Sequence, residues 1–402
     1  MSGECTLRTV FVACRKASVF SAMKGILWTI SVLFCLSSNA WADVLISGDV
    51  SPANPAQWHI NDGGNVGINS TGSLTINGGS SLGSEWTPIG LYSGGQGTVT
   101  VTGSGSNFTG LGIDVGSSGS GILNILQGGT VFSYSSDLAY NAGSTGTVTI
   151  SGAGSIWSIQ YTLTLAKAGN STLTLDQGGT LRVKTLQQGA GTSDFYWNDG
   201  TIQNYNNNNM IIGGTTIKLA ETGSHIFNIG SSNTGTVNAT LVDATSGGSL
   251  TKIGTGRLFL SAANTYSGAT TINQGPCQVT GSILNTSGIE ILPTGSLELA
   301  NASISATSAS VPIDNDGNLV VRAGSQNAGT ITGTGTTRVN AGTTLTAASI
   351  VQKTLIIGGT AVATASSPDI SPANQVPEPT AIALIFAGFI GILLPIWRRK
   401  LG

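Results

Sequence analysis

The chain has 402 residues, of which 58 are Gly and only 8% are charged, against about 25% in ordinary soluble proteins. So little charge with so much Gly excludes a conventional helical core. High Gly together with many Thr, Val, Ile and Leu points to β structure rich in turns. At a soft prior of ~150 residues per domain, the length leaves room for one to three compact units.

The first segment reads as an address rather than fold. Met23-Lys24 precedes the apolar run GILWTISVLFCL, and SSNAWADV comes after it. This is the order of a secretory signal peptide: a basic n-region, an apolar h-region and a small-x-small site. Ala40 and Ala42 form that site, so cleavage is expected after Ala42 with Asp43 as the mature N-terminus. The signal covers residues 1–42, with Met23 as an alternative start, and an uncleaved N-terminal anchor is the competing reading. Residues 43–71 are expected to form an N-terminal cap.

Residues 72–193 are a repeat array. The segments GSLTINGG, GTVTVTGS, GILNILQG, GTVTISGA and STLTLDQG begin at 72, 97, 121, 146 and 171 and align without gaps. Their ends alternate between Gly-Gly and Gly-x-Gly-Ser, so the larger unit is near fifty residues. Leu74/Ile76, Val99/Val101, Leu123/Ile125, Val148/Ile150 and Leu173/Leu175 alternate with Thr, Ser and Asn, the period of a half-buried strand. A second apolar pair ends six residues before each next repeat: Ile89/Leu91, Ile113/Val115, Leu138/Tyr140 and Leu163/Leu165. One such rung cannot bury its own apolar face, but stacked rungs can, each strand pairing in parallel with its equivalents. The expected fold is mainly β, a right-handed parallel β-helix (solenoid), with an N-terminal signal peptide and one C-terminal transmembrane helix. A β-sandwich array is the competitor, disfavoured by the close spacing and absent linkers.

Residues 194–246 break the even spacing. Phe195, Trp197 and Ile202 are expected to form a rung, and Asn204 to Asn209 an exposed turn. Residues 247–275 carry Gly256, Leu258, Leu260, Asn264, Tyr266, Gly268, Thr270, Ile272 and Gly275. This pattern closely resembles the autotransporter-associated β-strand repeat, which implies a β-helix and a surface location but no activity. Pro276-Cys277 departs from the pattern. Residues 276–360 continue with weaker strands at Ser296, Asn318, Thr343 and Lys353. Residues 361–376 read as a flexible linker.

The chain ends VPEPTAIALIFAGFIGILLPIWRRKLG. The apolar run Ala381 to Trp397 is at the short end for a membrane helix, and Arg398, Arg399 and Lys400 would stay cytoplasmic. Val376, Pro377, Glu378 and Pro379, the apolar run and the terminal basic cluster together resemble a bacterial PEP-CTERM sorting signal over residues 377–402. That resemblance implies processing by an exosortase, a transpeptidase-like membrane enzyme linked with exopolysaccharide production. An ordinary C-terminal anchor is the alternative. The expected partners are then the export translocon, the exosortase, the membrane before processing, and exopolysaccharide.

Residues 43–379 hold nine Lys and Arg against seventeen Asp and Glu, a net charge of −8 with no basic cluster. Nucleic-acid binding through phosphate neutralisation is therefore disfavoured. Cys277 is the one cysteine after the signal, which leaves no intrachain disulfide. A lone small thiol is most often a buried hydrophobe. Catalysis on polysaccharide would need paired carboxylates, with or without Ca²⁺ and a base. Asp114 and Asp137 fall near one another on consecutive rungs, but no Arg or Lys is evident beside them, and they read as solvated turn residues. Asp314-Asn315-Asp316-Gly317 lacks the Glu that completes a calcium loop and reads as a turn. His59 and His225 are too far apart in sequence to suggest a zinc pair. No catalytic, cofactor or metal residues are assigned. The reading is a non-enzymatic exported surface or matrix protein. The alternatives are a β-helix polysaccharide lyase or hydrolase, and an autotransporter-passenger-like adhesin.

Overall fold

The computed structural model of the chain describes residues 43–304, 311–365, 374–375 and 383–386. They form a β-solenoid of about 12 turns. The one helical element among them is the three-residue 3₁₀ turn Pro55–Gln57. Handedness aside, this is the fold that the repeats predict.

The first face is a parallel sheet built from the repeat starts: Thr71–Asn77, Gln96–Thr102, Ser120–Leu126, Thr145–Ser151 and Asn170–Asp176. Val99, Leu123, Val148 and Leu173 lie in one register column. All of them, with their partners two residues on, are fully buried. Period-2 alternation therefore places the inward side chains correctly along this face. Asp43–Gly48 lies antiparallel on Thr71–Asn77. It covers the sheet edge that the first rung would otherwise leave open. Nearby, the Trp58 indole N–H donates to the Pro52 carbonyl at 2.8 Å, and its ring meets Phe108 edge-on at 6.5 Å.

Each of these five rungs carries one further long strand, such as Asn107–Val115 or Thr180–Gln188. That strand is bent and serves two faces. Thr180–Val183 pairs with Thr201–Asn204, while Thr185–Gln187 pairs with Ile211–Gly213. At the bend two successive side chains face outward, as Glu85 and Trp86 do, and Tyr134 and Ser135.

The corners explain the alternating repeat ends. Where the first corner is Gly78–Ser80 or Gln127–Gly129, three residues, the last has six (Gly90–Gly95, Ala139–Ser144), while the fifth rung has three at both (Gln177–Gly179, Gly189–Gly191). Where the first has four (Gly103–Ser106, Gly152–Ser155), the last also has four (Gly116–Gly119, Ala166–Gly169). The Ser of each longer first corner reaches back one rung: Ser106 Oγ accepts from Gly79 N at 3.1 Å, and Ser155 Oγ from Gly128 N at 3.0 Å.

This alternation corrects the second apolar pairs. Ile89, Val115, Leu138 and Leu165 form the last inward column of the third face. Leu91 and Tyr140 lie beyond it in the corners, and Tyr140 is 39% exposed.

Stacking continues where the sequence repeat fades. Phe195 sits between Leu173 and Ile217, and Trp197 between Leu175 and Leu219. Ile202 pairs with Leu181 and Phe227. The asparagine-rich turn is not wholly exposed. Asn204 is buried, donating to the Asn206 and Asn208 carbonyls and accepting from Gly230 N. Beyond it the rungs shorten, from Leu258 to Cys277 to Leu297, then from Leu319 to Thr337 to Leu355. Thr270–Val279 runs straight through Pro276-Cys277, and Cys277 fills a core position with its thiol pushed up to about 12 by burial.

Two expectations at the C-terminal end change. The linker expected from residue 361 starts as another strand, Val362–Ala365, paired with Thr344–Ala347. Within the run expected to be a membrane helix, Ala383–Phe386 is a strand lying parallel on Val362–Ala365. An unpaired edge of backbone donors and acceptors recruits an apolar, β-compatible segment next to it. Among the described residues no helix is long and apolar enough to cross a membrane.

Candidate functional site

The outward row of the third face runs Pro88, Asp114, Asp137, Thr164, Gln187 over successive rungs in register. Alternation turns Asp114 away from Ile113 and Val115, so it should be solvated. It is only 7% exposed, because the neighbouring rungs shelter it. The indole of Trp86, one rung back at the bend, lies over it and donates from Nε1 to Asp114 Oδ2 at 3.0 Å. Gly112 makes this possible: a Cβ there would come within 2.9 Å of the indole Cδ1.

Asp137 stands beside Asp114 on the next rung. Lys167, from the corner of the rung after that, reaches back to Asp137 Oδ2 at 2.6 Å with its ammonium 4.4 Å from the Tyr140 ring centre. The expectation that no basic residue accompanies the two aspartates is therefore wrong. Asp114 and Asp137 sit 17 and 16 residues into their repeats. They pair because the first corner of the Asp114 rung is one residue longer.

Together these side chains line an open cleft of about 530 Å³, with Tyr92, Ser117, Ser118 and Asn141 completing its wall. Trp86 is 48% exposed and Tyr92 54%. Burial and then the Asp137 charge push the Asp114 carboxyl up to about 6, against the Trp86 hydrogen bond and Lys167. The hydrogen bond to Asp137 raises the Lys167 ammonium above its ordinary value. The cleft thus combines half-exposed aromatic rings with a floor of carboxyl, amide, hydroxyl and ammonium groups.

The other candidates are structural. Asp316 accepts from the Thr334 amide and hydroxyl, as a turn residue does. Asn315 is buried and donates to Gln352 Oε1 at 2.7 Å. His59 is exposed. His225 is buried, with Nδ1 2.8 Å from the Ser249 carbonyl and its ring edge-on to Trp197. Glu298 bridges Arg322 on the next rung and Arg257 two rungs back. Among the described residues, no three His, Cys, Asp or Glu side chains converge into a metal cage. Asp43 opens the first strand, whereas Ala40, Ala42, Val376 to Pro379 and Arg398 to Lys400 lie outside the described residues.

The stretch with the autotransporter-type pattern has clear geometry. Leu258, Leu260, Tyr266 and Ile272 point into the core. The Tyr266 hydroxyl and Thr270 Oγ1 are 2.7 Å apart, and Thr270 continues to Thr286 at 3.1 Å. Asn264 ties three rungs: its Oδ1 accepts from Leu241 N, and its Nδ2 donates to the Ala262 and Ser282 carbonyls. At Gly268 a Cβ would lie 2.3 Å from the Gly247 carbonyl oxygen. Lys252 is buried and donates its ammonium to the carbonyls of Ile253, Gly254 and Gln274, while burial pushes its pKa down to about 8.

Residues 250–275 match the family model of the passenger-associated-transport-repeat. No curated protein matches the chain, and neither does any solved structure. The chain is thus a β-solenoid with one stretch of the passenger-associated type, in which Leu258, Leu260, Asn264, Tyr266, Gly268, Thr270 and Ile272 each have a packing or hydrogen-bonding task.

Proposed function

We propose that this protein is a non-enzymatic, exported surface protein of the autotransporter-passenger kind, an adhesin whose solenoid presents binding groups away from the cell. The match of residues 250–275 to the passenger-type repeat carries this reading. The stacked fold supports it, because a rod of repeated rungs offers long, regular faces for many weak contacts. The h-region and Ala40-Trp41-Ala42 site support export through the translocon. Surface biotinylation of intact host cells, with an internal epitope tag, tests the location. Labelling only after lysis refutes it. Loss of cell attachment on deletion tests the adhesive role.

The tail favours a second element, sorting by an exosortase together with exopolysaccharide. Its support is the order Val376-Pro377-Glu378-Pro379, apolar run, Arg398-Arg399-Lys400. Two prolines within three residues disfavour a helix and remove two backbone donors, a composition that suits recognition by a processing enzyme. Changing Pro377, Glu378 and Pro379 to Ala should leave export intact and block release, which fractionation and immunoblotting detect. Wild-type processing of that variant refutes the sorting role.

A further inference from the structure

We propose that the cleft over Asp114 and Asp137 is a saccharide-binding site that takes a neutral polysaccharide chain along the solenoid axis. The proposal rests on the adhesin reading and gives it a ligand class.

The aromatic rings come first. Trp86 and Tyr140 are part-exposed at opposite margins of the cleft, Trp86 at the bend and Tyr140 in the corner. Trp86 is held by its N–H bond to Asp114, and Tyr140 by the Lys167 ammonium over one face of its ring. Their positions are thus fixed while apolar surface stays in water. Flat, immobilised rings of this kind suit the C–H faces of pyranose rings, an amphipathic ligand with the same division of apolar and polar surface.

The floor comes second. A pyranose edge offers adjacent hydroxyls, each both donor and acceptor. Carboxylates accept from them, an ammonium donates to them, and Asn and Ser do both. Asp114, Asp137, Lys167 and Asn141 supply that mixed set on neighbouring rungs. Parallel rungs repeat at about 4.8 Å, close to the length of one sugar unit, so a chain lying along the axis meets a fresh set of groups at each residue. The bend continues the row of rings: Tyr134 meets Tyr161 edge-on at 5.9 Å, and Lys184 lies 5.7 Å from the Tyr161 ring centre.

Charge narrows the ligand. Two carboxyls face one ammonium, and residues 43–379 carry a net charge of −8, so a polyanion is repelled. A metal ion would want a third carboxylate, and none converges here among the described residues. Both aspartates are already tied, one to an indole N–H and one to an ammonium, which suits holding a glycan rather than cleaving it.

The test is affinity electrophoresis of the purified full-length chain in gels containing soluble β-1,3-glucan, β-1,4-glucan, galactomannan or starch, with heparin as the anionic comparison. Retardation by at least one neutral polysaccharide is expected. Trp86→Ala and Tyr140→Ala should each weaken it about tenfold or more, a loss of about 1.4 kcal/mol. Trp86→Phe should restore part of it. Val351→Ser, an exposed apolar residue on a distant rung, should bind as wild type. Both ring variants should unfold at the wild-type urea midpoint, which separates a binding loss from a folding loss. No retardation by any neutral polysaccharide overturns the proposal. So does equal binding by Trp86→Ala, retardation by heparin alone, or release of reducing ends from the polysaccharide. Because the assay uses purified protein, a surface-exposed chain that binds no glycan sinks only the cleft, and a glycan-binding chain that never reaches the surface sinks only the adhesin.

Discussion

Replacing Asn264 by Ala should cost about 3 kcal/mol. Asn264 is 1% exposed and holds three backbone groups on three rungs. The Ala262 carbonyl keeps a second donor, Ser282 N at 3.0 Å, so its loss is small. The Leu241 amide loses its acceptor at 2.9 Å, and the Ser282 carbonyl loses the Asn264 amide. Two buried groups deprived of partners cost ~1–3 kcal/mol each. Because solenoids open locally, hydrogen exchange at Leu241 is the more direct readout than global unfolding. Its exchange should quicken about a hundredfold, the equivalent of about 3 kcal/mol. The exposed neighbour change Ala263→Ser should leave it unaltered. A loss below about 1 kcal/mol, or unchanged exchange at Leu241, would refute the claim that this residue of the passenger-type repeat is a structural tie.

Three other outcomes are expected. Val148→Asp puts a carboxylate in the dry core and should cost several kcal/mol, whereas Thr147→Asp on the outer side should be mild; equal effects in urea titration would mean that the faces are misassigned. Burial lowers the His225 pKa, so its contribution is whole above its unfolded value of about 6.5 and is lost as pH falls through the folded value; His225→Phe should remove that acid slope, and identical slopes in both proteins would refute this. The Asp114 pKa is raised to about 6 from about 3.9 in the unfolded chain, so its contribution is whole below about 3.9 and lost as pH rises through 6; Asp114→Asn should therefore be about 1–3 kcal/mol more stable than wild type at pH 8 and no more stable at pH 3.5, and a pH-independent difference would count against it.

The first face was legible because its signal is local. Leu123 and Ile125 alternate with polar residues within one strand, and five equal strands confirm one another. The third face was not, since its register depends on corner lengths that compensate within a rung. Counting back from the next repeat assigns Tyr140 to the core, yet counting from the preceding strand assigns Leu138. The same arithmetic hid the pairing of Asp114 with Asp137 and the arrival of Lys167. That lysine is 30 residues from its partner in sequence, and only stacking brings it there. Trp86 gave one faint signal, a large aromatic residue where period-2 alternation breaks. The passenger-type repeat was readable for the opposite reason: Asn264, Tyr266 and Gly268 each meet a constraint set by their own and the adjoining rungs, so each position calls for a particular residue type. The strand at Ala383–Phe386 could not be read, because an apolar run of that length is equally suited to a membrane or to an open sheet edge.

The Ser106–Gly79 and Ser155–Gly128 contacts join each Gly-x-Gly-Ser rung to the Gly-Gly rung before it, and the two corner types occur only in alternation. The first part of the solenoid is therefore quantised in pairs. Removing one rung would set two corners of the same kind against each other and leave either a serine without its amide or an amide without its serine. Removing two would rejoin matching surfaces. Length variants that gain or lose the segment from Gly72 to Ser120, or from Gly121 to Asn170, should fold, and those cut at a single rung should not. Such a ruler would let the reach of the protein change in steps of two strand spacings, about 9.6 Å, while leaving the packing at every junction as it was.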